Sequence, residues 1–74
     1  MSSTASSKEV LKILTQHFGF YFVSQKGSHA KLRKNTEQGT ITTIVPMHHE
    51  LSHGTLRGVL ELAKIDYKEF EKFL

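Results

Sequence analysis

The sequence predicts an α+β domain: a helix, then a three-stranded antiparallel sheet, then a second helix followed by a short C-terminal one. Three observations predict it. The apolar residues repeat at helical spacing before Gly19, at a period of two or in β-branched runs between Phe20 and Val45, and at helical spacing again after Gly54. The turns that separate the three central runs are short, which favours an antiparallel meander over parallel strands with crossovers.

Each element follows from its own residues. Ser6 with Glu9 three positions on forms a capping box. Val10, Leu11, Ile13, Leu14 and the His17/Phe18 pair then line one helical face, and Gly19 supplies a stop, so the first helix is expected over about Ser7–Phe18. Phe20 to Lys26 is aromatic and β-branched, which suits a strand, and Gly27-Ser28 is a short turn. From His29 to Lys34 the pattern alternates: His29, Lys31 and Arg33 fall on one face, Ala30 and Leu32 on the other. A strand with that pattern buries one face and opens a basic one to solvent. Asn35 to Gly39 reads as a polar turn, Thr40 to Val45 as a third strand, and Pro46 as its end, because proline cannot donate to a ladder. Met47 to Gly54 reads as a loop. Thr55 opens a helix with Leu56, Val59, Leu60 and Ala63 on one face. Asp66 with Glu69 caps a last short segment whose apolar residues are Tyr67, Phe70, Phe73 and Leu74. The economical packing lays the helices on one face of the sheet and leaves the other open.

A chain of 74 residues supports one domain with a modest core, expected over residues 8–74 behind a disordered Ser/Thr/Ala-rich tail at 1–7. There is no cysteine, so neither a disulfide framework nor a thiolate metal site is available. The tail lacks the layout of a secretory signal and no run is long enough to span a membrane, which points to a cytoplasmic protein. The net charge of +3 is uneven: up to Pro46 the balance is +4, and beyond it −1. Basic charge gathered in one region attracts phosphate or an acidic protein surface.

Five histidines carry most of the possible chemistry. His29 follows Gly27-Ser28, where backbone can be approached closely, and shares its face with Lys31 and Arg33. An imidazole beside cations can move a proton near neutral pH while the cations hold a phosphodiester and offset charge in its transition state. RNA suits such a site, since its 2′-hydroxyl is a built-in nucleophile. The same pattern also describes an ordinary surface histidine, and Lys31, Arg33 and Lys34 also describe a solvated strand that discourages edge pairing. His49-Glu50-Leu51-Ser52-His53 matches the zinc-protease pattern H-E-x-x-H, which needs both histidines on one helix face and a third ligand. Pro46 and Gly54 flank it, so it reads as a loop entering a helix; no functional metal site is expected, and adventitious metal binding by His49 and His53 is favoured over catalysis. His48 is placed to hold substrate or partner at the mouth of that loop. His17 is placed to favour the negative end of the first helix. Phe20, Tyr21 and Phe22 are read as core in preference to a base-stacking surface.

Taken in order, Gly27-Ser28-His29, Val45-Pro46 with His48, and Gly54-Thr55-Leu56 resemble the HicA family, toxins of HicA–HicB toxin–antitoxin systems, over about Lys8 to Leu74. The resemblance implies a double-stranded-RNA-binding-domain-like fold. It implies a ribonuclease that cuts messenger RNA, and a HicB antitoxin that covers the active site. It places the catalytic role on His29, with Gly27 and Ser28 as the turn presenting it. The expected machinery is therefore His29 as general acid or base, with Lys26, Gly27, Ser28, Lys31, Arg33 and His48 binding RNA, no cofactor, and a free monomer. A non-catalytic RNA- or DNA-binding module of the same fold is the alternative.

Overall fold

Helix α1 (Ser7–His17) is the first element in a computed structural model that describes residues 5–74. Its start is the predicted capping box: the Ser6 hydroxyl accepts from the Glu9 amide and the Glu9 carboxylate accepts from the Ser6 amide, both at 3.1 Å. Its end is set by Gly19, whose φ of 78° turns the chain so that the Phe18 and Phe20 amides both donate back to the Leu14 carbonyl. The expected tail at 1–7 meets a different fate. Residues 1–4 lie outside those described, whereas Ala5 bridges Leu51, Ser6 is the cap and Ser7 is buried.

Three strands follow, β1 (Tyr21–Lys26), β2 (His29–Thr36) and β3 (Gly39–Pro46), in the sheet order β1-β2-β3 with both pairs antiparallel. The β2–β3 turn is tighter than the sequence suggests, because Asn35 and Thr36 stay in the ladder opposite Thr40 and Gly39. The Thr36 hydroxyl donates to the Gly39 carbonyl at 2.7 Å, which stabilises the tight form. Pro46 closes β3 as its last paired residue, opposite His29, so the strand runs one residue beyond the expected Val45. β1 begins one residue later than expected, since Phe20 turns into the core.

Helix α2 (His53–Ala63) starts two residues before Thr55. The reason is Ser52, which takes the cap position and accepts from the Thr55 amide at 3.2 Å, so Gly54 sits inside the first turn and does not break it. Lys64 ends the helix in the left-handed region at φ 59°. Asp66 then caps α3 (Tyr67–Glu71), accepting from the Lys68 amide at 3.2 Å.

The core lies on one face of the sheet. Ala30, Leu32 and Val45 meet Val10, Ile13 and Leu14 of α1, Leu56, Val59 and Leu60 of α2, and Phe70 of α3. Helix α2 packs chiefly on β3, while α1 reaches β3 and β1. Thr43, on the same face, docks α2 through a buried 2.7 Å bond from its hydroxyl to the Val59 carbonyl. Among the described residues no helix is long and apolar enough to cross a membrane.

Candidate nucleic-acid interface

The face of the sheet away from the core is built by register. Residues opposite one another across an antiparallel ladder point to the same side. Ala30 and Leu32 are fully buried, so their neighbours His29, Lys31 and Arg33 emerge on the other face, as the alternation predicts. β3 contributes Pro46, Ile44 and Thr42 opposite these three. β1 contributes Lys26 opposite His29, Ser24 opposite Lys31 and Tyr21 opposite Arg33. None of these nine residues is buried, and none is acidic.

That set from β1 exists only because of an irregularity. Strict alternation would put Tyr21 and Lys26 on opposite faces, five residues apart. The register shifts between Phe22 and Ser24, so Val23 is an extra residue that leaves Tyr21 and Lys26 on one side. The three aromatics read together as core therefore separate. Phe20 is buried; Tyr21 faces the cations and is 44% exposed; Phe22, opposite Leu32, lies on the helix side beyond the helices' cover, 52% exposed.

His29 is exposed as the first residue of β2, immediately after a two-residue hairpin turn. Gly27 takes φ 59°, and the following Ser28 does not have a positive φ; a glycine first in such a turn matches the twist of the strands. The Gln25 side-chain amide donates to the Gly27 carbonyl at 3.1 Å and steadies the turn. The Met47 amide donates to the Ser28 carbonyl at 2.6 Å, which ties the end of β3 to the same corner. His48 follows in an exposed loop, its amide donating to the buried Ser7 hydroxyl at 2.6 Å. Beside it an open groove of about 440 Å³ is lined by Ser6, Ser7, Lys8, Met47, His48 and His49. One corner of the sheet thus gathers Lys26, Gly27, Ser28 and His29 with the backbone of Pro46 to His48.

Lys31 and Arg33 continue from that corner along β2, about 7 and 13 Å from His29 at roughly 3.3 Å per residue. Arg33 is half-buried, and its Nε donates to the Thr42 hydroxyl at 3.4 Å, a long bond that leaves the rest of the guanidinium available. Lys34 departs from them: it pairs with Ile41 on the other face and its ammonium sits 5.8 Å from the centre of the Phe20 ring.

The remaining histidines lie elsewhere. In the H-E-x-x-H stretch, His49 and Glu50 are in bends, Leu51 bridges Ala5, Ser52 is a helix cap and only His53 is helical. The two histidines therefore do not share a helix face, and the described residues hold no group of three or more His, Asp or Glu placed to bind a metal ion. The His53 ring lies 5.8 Å from that of Tyr67, with Nε2 buried. His17 stacks on Phe73 with ring centres 4.0 Å apart.

The arrangement offers an exposed imidazole, cations in line on the same face, and an aromatic ring at the far end. Such a surface can hold a phosphodiester chain and move a proton beside it. Compared with protein families, the model for the HicA toxin of bacterial toxin–antitoxin systems matches residues 7–65, most of the chain. No curated protein matches it.

Proposed function

The chain belongs to the HicA toxin family of bacterial toxin–antitoxin systems, and from that premise we propose that it is a metal-independent endoribonuclease with His29 as its general acid and base. The observation that carries this reading is the position of His29: exposed, on the uncovered sheet face, and in line with Lys31 and Arg33.

The chemistry follows from what those groups can do. The His29 imidazole takes the 2′-hydroxyl proton as that oxygen bonds to the adjacent phosphorus. The bond from phosphorus to the 5′-oxygen breaks, and that oxygen takes its proton from the imidazolium or from water. The products are a 2′,3′-cyclic phosphate and a 5′-hydroxyl. Lys26, Lys31 and Arg33 hold the phosphates and offset the negative charge that builds on the reacting one. Gly27 and Ser28 let the strand approach the turn, and His48 borders the same corner. The nucleophile comes from the substrate and the positive charge from side chains, so the scheme needs no metal ion.

The substrate in this reading is messenger RNA in the cytoplasm, and the inhibitor is a HicB-like antitoxin that covers the same face of a toxin monomeric when free. The test is incubation of the purified chain with RNA in EDTA. Wild type should cleave. His29→Ala should lose at least about 10²-fold of the rate, the low end of what acid–base catalysis supplies, with unfolding free energy within about 0.5 kcal/mol, as expected for an exposed site. Binding without cleavage by wild type supports the non-catalytic module, and full activity in the variant removes His29 from the mechanism.

A further inference from the structure

Tyr21 has no part in the cleavage scheme above. It lies on the open face opposite Arg33, at the far end of the row that starts at His29, and 44% of its surface is exposed. The strand irregularity at Val23 is what leaves it on the same side as Lys26. Tyr21 is thus an exposed aromatic ring on a face whose nine residues named above include Lys26, Lys31 and Arg33 and no acidic one.

Resting on the ribonuclease reading, we propose that Tyr21 is a base-binding subsite: a nucleobase of single-stranded RNA stacks on its ring while the backbone runs along Arg33 and Lys31 toward His29. Every base has a π-face, so a ring exposed beside cations suits single strands whose bases are splayed. A duplex keeps its bases stacked on one another and cannot use the ring. The span fits. His29 and Arg33 are four residues apart on β2, about 13 Å. A stacked strand advances about 3.4 Å per phosphate and an unstacked one further, so the stacked base lies within about four nucleotides of the cut. Phe22 is more exposed but lies on the other face, paired with Leu32, and has no place in this path.

The test uses the full chain and a short 2′-O-methyl RNA, which cannot be cleaved, carrying 2-aminopurine at successive positions. Wild type and Tyr21→Phe should bind it and quench the fluorophore at one position. Tyr21→Ala should bind about 5- to 150-fold more weakly, the range corresponding to loss of one base–aromatic stack, and should lose that quenching. Its affinity for a duplex of the same sequence should match wild type, whereas Lys31→Ala should weaken both. Quenching and affinity retained in Tyr21→Ala would overturn the subsite and leave the ribonuclease reading standing. Failure of wild type to bind any RNA would overturn both.

Discussion

Ser7 is where a single atom bears most directly on both the fold and the corner that holds His29. Its hydroxyl accepts from the His48 amide at 2.6 Å and donates to the carbonyls of His48, at 2.7 Å, and Pro46. One hydroxyl carries one proton, so the donated bond is shared between the two carbonyls. Ser7→Ala therefore removes one accepted and one shared donated bond from a site that is 1% exposed. No backbone group is fully orphaned: the Ser7 amide still reaches the His48 carbonyl at 3.1 Å, and the His48 amide still reaches the Pro46 carbonyl at 3.2 Å. With two bonds lost at roughly 0.5–1.5 kcal/mol each, the expected cost is about 2 kcal/mol. Alanine fits the first helical turn, so propensity adds little to the loss.

That cost is large for this chain. A domain of 74 residues is expected to hold roughly 4–11 kcal/mol in all. The midpoint should fall by roughly 8–16 °C, at 4–8 °C per kcal/mol for a domain of this size. Thermal and urea unfolding followed by circular dichroism would measure it, with RNA cleavage assayed well below the midpoint. Cleavage should weaken as well, because Ser7 holds the Pro46–His48 segment whose Met47 amide in turn holds Ser28. A loss under about 0.5 kcal/mol, the scatter of neutral surface changes, would refute the idea that this hydroxyl rivets the loop to the helix.

Two further outcomes follow from the geometry. Lys64→Gly should stabilise the chain by about 0.5–1 kcal/mol, since a side chain at φ 59° carries left-handed strain that glycine lacks, partly offset by the entropy glycine loses on folding; urea unfolding would read it, and a destabilised variant would contradict it. Lys31→Ala and Arg33→Ala should each flatten the salt dependence of single-stranded RNA binding by about 0.7 in log–log slope, the share of one phosphate contact; an unchanged slope would place those side chains away from the backbone.

What the sequence made legible were features with a local rule. The Ser6–Glu9 box, the Gly19 stop and the alternation around Ala30 and Leu32 each depend on neighbours within a few residues, and each appears as expected. What escaped depends on distant partners. Ser7 looks like the last residue of a polar tail, and only the return of the chain at His48, 41 positions on, makes it buried. Lys34 reads as one of a basic trio until its pairing with Ile41 puts it over Phe20. The Val23 irregularity has no signature of its own, because β1 is an edge strand whose six residues are all exposed, and burial imposes no period on it. Ser52 did carry a local signal, its place before Thr55 as a cap, but the glycine between them read as a break.

The same irregularity also bears on why so open a strand is tolerable. An edge strand exposed on both faces, carrying Tyr21 and Phe22, invites another strand to add to its free side. Straightening it would deepen that hazard and would turn either Tyr21 or Lys26 away from the row that begins at His29. An extra residue at Val23 avoids both: it interrupts the flat ladder that a foreign strand would need, and it keeps the ring and the ammonium on one face. A requirement of solubility and a requirement of the proposed RNA path are thus met by one local distortion. That is a physical reason for an edge strand, free of the core's demands, to carry part of the proposed binding face.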